Sequence, residues 1–97
     1  MKDLEEIKQI LRQSKPFLKD NYRITEVGIF GYYAHGKETE SSDVDVIVDY
    51  QKPPTLIMLV ELKEYLSSLI DMKVDVVTKK GLKPRIKEKV LSEVIYV

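Results

Sequence analysis

The chain has 97 residues, 16 Lys and Arg against 16 Asp and Glu, 43% hydrophobic residues, four Gly, four Pro and no Cys. That composition fits one small globular domain spanning residues 1–97 and excludes a disulfide scaffold, a thiolate metal site, a Cys nucleophile and a disordered chain. Zero net charge argues against a protein that coats nucleic acid through many phosphate contacts, so no extended nucleic-acid binding is expected.

The first predicted element is a helix. Leu4, Ile7, Leu11 and Ser14 follow helical spacing, and Ile10 widens the apolar stripe. Asp3 and Glu6 suit an N-cap with its capping-box partner. Pro16 is expected to end, kink or restart that helix, with Phe17 and Leu18 on a following turn. The opening MKDLEEIKQI has no continuous apolar core, so no secretion signal is expected and the cytoplasm is the expected location.

Ile24 to Phe30, ITEVGIF, reads as a strand that runs directly into Gly31. Val44 to Tyr50, VDVIVDY, reads as a second strand. Pro53-Pro54 breaks the chain, and Thr55 then suits the N-cap of a long helix with Leu59, Leu62, Leu66 and Leu69 on its inner face. On a neighbouring face Met58 and Tyr65 are expected to widen the buried stripe rather than to form a contact surface. Lys73 to Thr78, KVDVVT, reads as a third strand. Pro84 suits the first turn of a last helix with Ile86, Val90 and Leu91 inward, and the apolar VIYV after it is expected to dock. The longest apolar run, Leu56 to Val60, is far short of the roughly 20 residues of a membrane span, so no membrane association is expected. The expected fold is α/β: helices covering a short sheet of three strands or slightly more, with strand directions left open.

Charge along the chain is uneven. Residues 1–37 carry a net +2, residues 38–71 a net −6 and residues 73–97 a net +4. An acidic middle between basic ends fits a cation site beside an anion-attracting rim. On charge alone a solvated mixture of Lys and Glu is the preferred reading. A chain this short buries a modest share of its surface and is expected to be marginally stable or to lean on a partner.

Three carboxylates sharpen the picture. Asp43 and Asp45 stand two apart, so on a strand they face the same way and repel unless a cation or solvent compensates. Asp75 interrupts an otherwise apolar strand, where an unpaired charge is costly. Taken singly, Asp43 and Asp45 also read as a solvated start of a strand after Ser41-Ser42, and Asp75 as an outward residue of a half-exposed strand. Taken together, on neighbouring strands, they read as an oxygen-ligand site for Mg²⁺ or Mn²⁺, and two such ions suit in-line displacement at phosphorus. Asp49 has the same parity but is read as exposed at the far end, outside the site. A glycine at the end of a strand, as at Gly31, lets backbone N–H groups approach an anion.

The stretch GIFGYYAHGKETESSDVDVIVDY resembles the signature of the minimal nucleotidyltransferases within the DNA polymerase β superfamily. Their pattern is Gly-Ser, ten residues, then Asp-x-Asp, with Ala-Arg-Gly after the Gly-Ser. Here Gly31-Tyr32 precedes Asp43-Val44-Asp45 by ten residues, Ser42 stands before the first Asp, and Asp75 matches the third carboxylate. The tail LKPRIKEKVLSEVIYV is similar too. The resemblance implies the nucleotidyltransferase fold and Mg²⁺-dependent transfer of a nucleoside monophosphate, AMP from ATP, to an acceptor hydroxyl. It implies Asp43, Asp45 and Asp75 as metal ligands, with Asp75 also activating the acceptor. It implies Gly31 and Tyr32 as the nucleotide-binding turn. It further implies a helical HEPN-type toxin as partner, with this chain as the antitoxin and, in some members, a toxin tyrosine as acceptor. Two departures stand out: Tyr32 replaces the family's serine and His35 its arginine. His35 is read as structural, Tyr33 as a packing or rim aromatic. The alternative is a weakened antitoxin that binds nucleotide or partner without turnover.

Overall fold

In the computed structural model, which describes residues 2–36 and 43–97, helix α1 runs from Leu4 to Tyr22. Asp3 caps it by accepting a hydrogen bond from the Glu6 N–H at 2.9 Å. Its buried residues are Ile7, Leu11, Ser14 and Leu18, one face at helical spacing. Pro16 lies inside the helix, which neither ends nor restarts there. The ring removes one hydrogen bond to the carbonyl of solvent-facing Arg12. Two contacts beyond it hold the last turn in place: Leu18 is fully buried, and Phe17 stacks on Tyr65 with ring centroids 4.6 Å apart. Arg23, in the left-handed conformation, closes the helix.

Strand β1, Ile24–Phe30, leads through Gly31 into the single turn α2, Tyr32–His35. Four residues are too few for any periodic signal, so this helix has no trace in the hydrophobic pattern. Tyr33 anchors it: the ring is fully buried and its hydroxyl reaches Met72 Sδ at 3.7 Å. That settles Tyr33 as a packing residue. Then follow β2, Val44–Tyr50, α3, Leu56–Ile70, and β3, Val74–Thr78. Thr55 caps α3, accepting from the Met58 N–H at 3.1 Å. The buried stripe of α3 is Leu62, Leu66 and Ile70. Leu69, expected on the inner face, is 41% exposed, because Ile70 one position on points more squarely at the sheet. Tyr65 packs on the edge of the core, as expected. The chain ends in α4, Pro84–Glu93, and β4, Ile95–Tyr96. Pro84 occupies the first turn, as expected, but α4 buries none of its residues completely and Ile86 is 43% exposed. No described helix is long and apolar enough to cross a membrane.

The sheet order is β3-β2-β1-β4. β1 is antiparallel to β2 and to β4, whereas β2 and β3 are parallel, joined by α3 as the crossover that parallel strands require. One face carries Val27, Ile29, Val44, Val46, Val48 and Val74 into a core shared with α1 and α3. Residues of opposite parity, Asp45, Ile47 and Asp49 on β2 and Asp75 and Val77 on β3, therefore lie on the other face.

Gly28 lets the chain end cross that second face. A Cβ there would collide with Val94 Cγ1 and come within 3.2 Å of the Ile95 carbonyl and 3.3 Å of Ile47 Cγ2. Gly28→Ala is expected to cost about 1–3 kcal/mol, because β4 cannot move away without losing its pairing with β1. A thermal melt checks it, and an unchanged midpoint would show that β4 lifts without penalty.

Candidate active site

The site grows from the register of two strands. Asp45 and Asp75 are direct partners across the parallel β2–β3 pair, so their side chains leave the sheet side by side. Asp43 immediately precedes β2 and shares their parity. The Asp45 carboxyl is pushed above the usual carboxylate range, first by burial and then by the charges of Asp75 and Asp43. Three negative groups thus act on one another around Asp45.

Asp43 and Asp75 each have a lysine at hand. Lys73 Nζ lies 3.6 Å from Asp43 Oδ2, and Lys63 Nζ lies 3.5 Å from Asp75 Oδ1. Among the described residues no three His, Asp or Glu side chains stand ready-made around one metal position. Both lysine pairs are long and solvent-facing, worth about 0–1 kcal/mol each, so little opposes turning the carboxylates toward a cation. The donor set is all carboxylate oxygen, the chemistry of Mg²⁺ or Mn²⁺, and the strained charge of Asp45 is what such an ion relieves. The residues fit the group.

Asp49, expected to be exposed, is half-buried and belongs to a different arrangement. Its Oδ1 accepts from Lys80 Nζ at 2.8 Å and from the Tyr50 N–H at 2.9 Å. The Lys80 hydrogen bond leads in holding its carboxyl below the usual range. Ser41 and Ser42 lie outside the described residues.

Gly31 abuts the acidic group. Its backbone has φ 76° and ψ −149°, and its Cα faces Asp45 so closely that a Cβ would collide with Oδ2. The bend opens into a cleft of about 410 Å³ lined by Gly31, Tyr32, His35, Asp45, Lys89 and Glu93. Tyr32 stands at its mouth, 61% exposed, because the neighbouring Tyr33 is the residue turned into the core. His35 Nε2 and Glu93 Oε2 are 3.0 Å apart. His35 is structural in that it tethers α2 to α4, but it does so inside the cleft. Lys89 and Glu93 escaped the sequence reading. Their only sequence signal is the basic character of the last segment, and their place at the cleft depends on the path of α4 over the sheet.

A larger groove, about 480 Å³, lies between the second half of α1 and the start of β1, lined by Lys15, Pro16, Lys19, Asp20, Ile24, Thr25 and Val27. It contains none of the paired carboxylates and no glycine bend, so the chemistry points to the smaller cleft.

A carboxylate cluster on neighbouring strands beside a glycine bend, in a small mixed sheet backed by helices, is the arrangement of a nucleotidyltransferase. The chain belongs to that family: the model described as "Nucleotidyltransferase domain" matches residues 4–97. It is a nucleotidyltransferase of the minimal type. It is 44% identical to protein adenylyltransferase MntA of Thermococcus cleftensis, over all of this chain and 98% of that protein. A solved structure assigned as a minimal nucleotidyltransferase superimposes with a TM-score of 0.80 at 35% identity, covering 97% of this chain and 95% of the other. A chain of the solved toxin–antitoxin MntA-HpeT, in a mutant form, superimposes with a TM-score of 0.74 at 25% identity, covering 90% of this chain and 70% of the other.

Proposed function

We propose that residues 1–97 act as one minimal nucleotidyltransferase domain that moves AMP from ATP to a hydroxyl of a helical HEPN-type toxin, serving in the cytoplasm as its antitoxin. The observation that carries this reading is the in-register pairing of Asp45 with Asp75 against Gly31. The 44% identity to a named protein adenylyltransferase supports AMP as the group moved, and the likeness to a toxin–antitoxin chain supports the partner.

Asp43, Asp45 and Asp75 would hold Mg²⁺, with Mn²⁺ a substitute. When bound, the metal supplies Lewis-acid neutralisation of charge developing at the α-phosphate and the leaving oxygen. The Gly31 bend and the Tyr32 backbone N–H receive the pyrophosphate portion of ATP. Asp75 accepts the proton of the acceptor hydroxyl as that oxygen forms its bond to the α-phosphorus. The bond from the α-phosphorus to its bridging oxygen breaks, and pyrophosphate leaves.

A specific observation favours a second reading, a binding antitoxin with weak turnover. His35, standing where the family has arginine, is engaged by Glu93 at 3.0 Å, and Tyr32 fills the place of a small serine. Labelling separates the two. The chain, ATP labelled at the α-phosphate, Mg²⁺ and the helical protein of the neighbouring gene are incubated together. Label on that protein, lost in Asp43→Asn while the complex still forms, is expected. Tight complex formation with no transfer by the unaltered chain would establish the second reading.

A further inference from the structure

The cleft holds acidic side chains and one cation, Lys89, that no described residue engages. Lys89 lines the same cleft as Gly31 and Asp45, yet among the described residues its ammonium has no hydrogen bond and no ion pair. Glu93, one turn further along α4, is engaged by His35 at 3.0 Å, which masks the one α4 carboxylate that lines the cleft. That engagement also occupies the imidazole at the position where the family has arginine. We infer that Lys89 is the anion-binding residue of this site, its ammonium taking the β- and γ-phosphates of the nucleoside triphosphate. The assignment rests on the nucleotidyltransferase reading and deepens it.

A triphosphate with its γ-phosphate ionised carries four negative charges, and a site lined by Asp45 repels it unless positive charge stands opposite. An ammonium on a flexible stem binds phosphate as a point charge and needs no rigid fork, so it works from a helix that is only half-packed. Because α4 buries none of its residues completely, Lys89 stays open to a ligand arriving from solvent.

Calorimetry of the full chain with ATP and with AMP, both in Mg²⁺, tests it. Lys89→Ala is expected to weaken ATP binding about ten-fold or more, the loss of a charge-assisted phosphate contact, and to leave AMP binding within about two-fold. Lys89→Arg should retain ATP affinity within about three-fold. Lys87→Ala removes the same charge from an exposed position of the same helix and should change neither ligand. Unaltered ATP affinity in Lys89→Ala overturns the assignment, as does an equal loss for ATP and AMP, which would mark a structural role. An unaltered chain that binds no ATP at all overturns the underlying enzyme reading, and this assignment with it.

Discussion

Asp45→Asn is expected to lower AMP transfer by at least about 10²–10³-fold, the scale for loss of one preorganised electrostatic group, while raising the melting temperature of the metal-free protein. The two effects have one cause. The Asp45 carboxyl is half-buried between Asp75 and Asp43, and its folded-state pKa is raised by burial and by those two charges. A raised folded pKa means that the native state holds the proton more tightly than the unfolded chain does. Its stabilising contribution is full below the ordinary carboxylate value and is lost as pH rises through the raised value. At neutral pH the ionised group is therefore a net cost to folding. Asparagine keeps the shape and removes the charge; solvent still screens the half-buried carboxylate, so the gain is at most about 1 kcal/mol, an upper bound of about 4–8 °C in a domain of this size. Added Mg²⁺ should raise the midpoint of the original chain and leave the variant unmoved, since ligand binding to the native state alone is what stabilises. Below the ordinary carboxylate range the two proteins should melt together. A variant that melts lower at neutral pH, or one that Mg²⁺ still stabilises equally, would separate Asp45 from the cation site.

Much of this architecture was readable from the order of residues because the signals were local. Alternation and β-branching mark β1, β2 and β3, and the caps at Asp3 and Thr55 act within one helical turn of themselves. What stayed hidden depends on distant packing. Pro16 argues against a continuous helix by propensity, and only the burial of Leu18 and the Phe17–Tyr65 stack decide otherwise. Leu69 and Ile70 are equally apolar, and a small rotation of α3 on the sheet chooses between them. The parallel sense of β2 and β3 goes with α3 as their crossover, and which strands become neighbours is a matter of packing that no spacing encodes.

The same division runs through the site. Asp-x-Asp and a lone Asp in a strand are visible because charge in an apolar strand contradicts its neighbours. Their adjacency needed the β2–β3 register. Asp49 shares the parity of Asp45, and only Lys80, from the loop beyond β3, explains why it stands apart. Lys89 and Glu93 look like ordinary polar positions of an amphipathic helix until Gly28 allows the chain end to cross the sheet and carry them to the cleft.

Gly31→Ala should be the most damaging small substitution in the chain. Two independent penalties meet at one atom. The backbone conformation, φ 76° and ψ −149°, borders a region that is nearly exclusive to glycine, and holding alanine there costs about 1–3 kcal/mol. The added Cβ would also strike Asp45 Oδ2 and lie 3.1 Å from its Cγ, a further cost of about 1–3 kcal/mol if the carboxylate cannot yield. Together they amount to roughly 2–6 kcal/mol, comparable to the whole stability of a small domain at 5–15 kcal/mol. A double-mutant cycle by urea unfolding divides the two. In an Asp45→Ala background the collision disappears and the backbone penalty remains, so Gly31→Ala should cost less there by at least about 1 kcal/mol. An identical cost in both backgrounds would mean that the carboxylate swings aside freely, and that the bend is glycine for its torsion angles alone. If the coupling appears, the glycine serves the site as well as the turn: it is the space in which Asp45 sits.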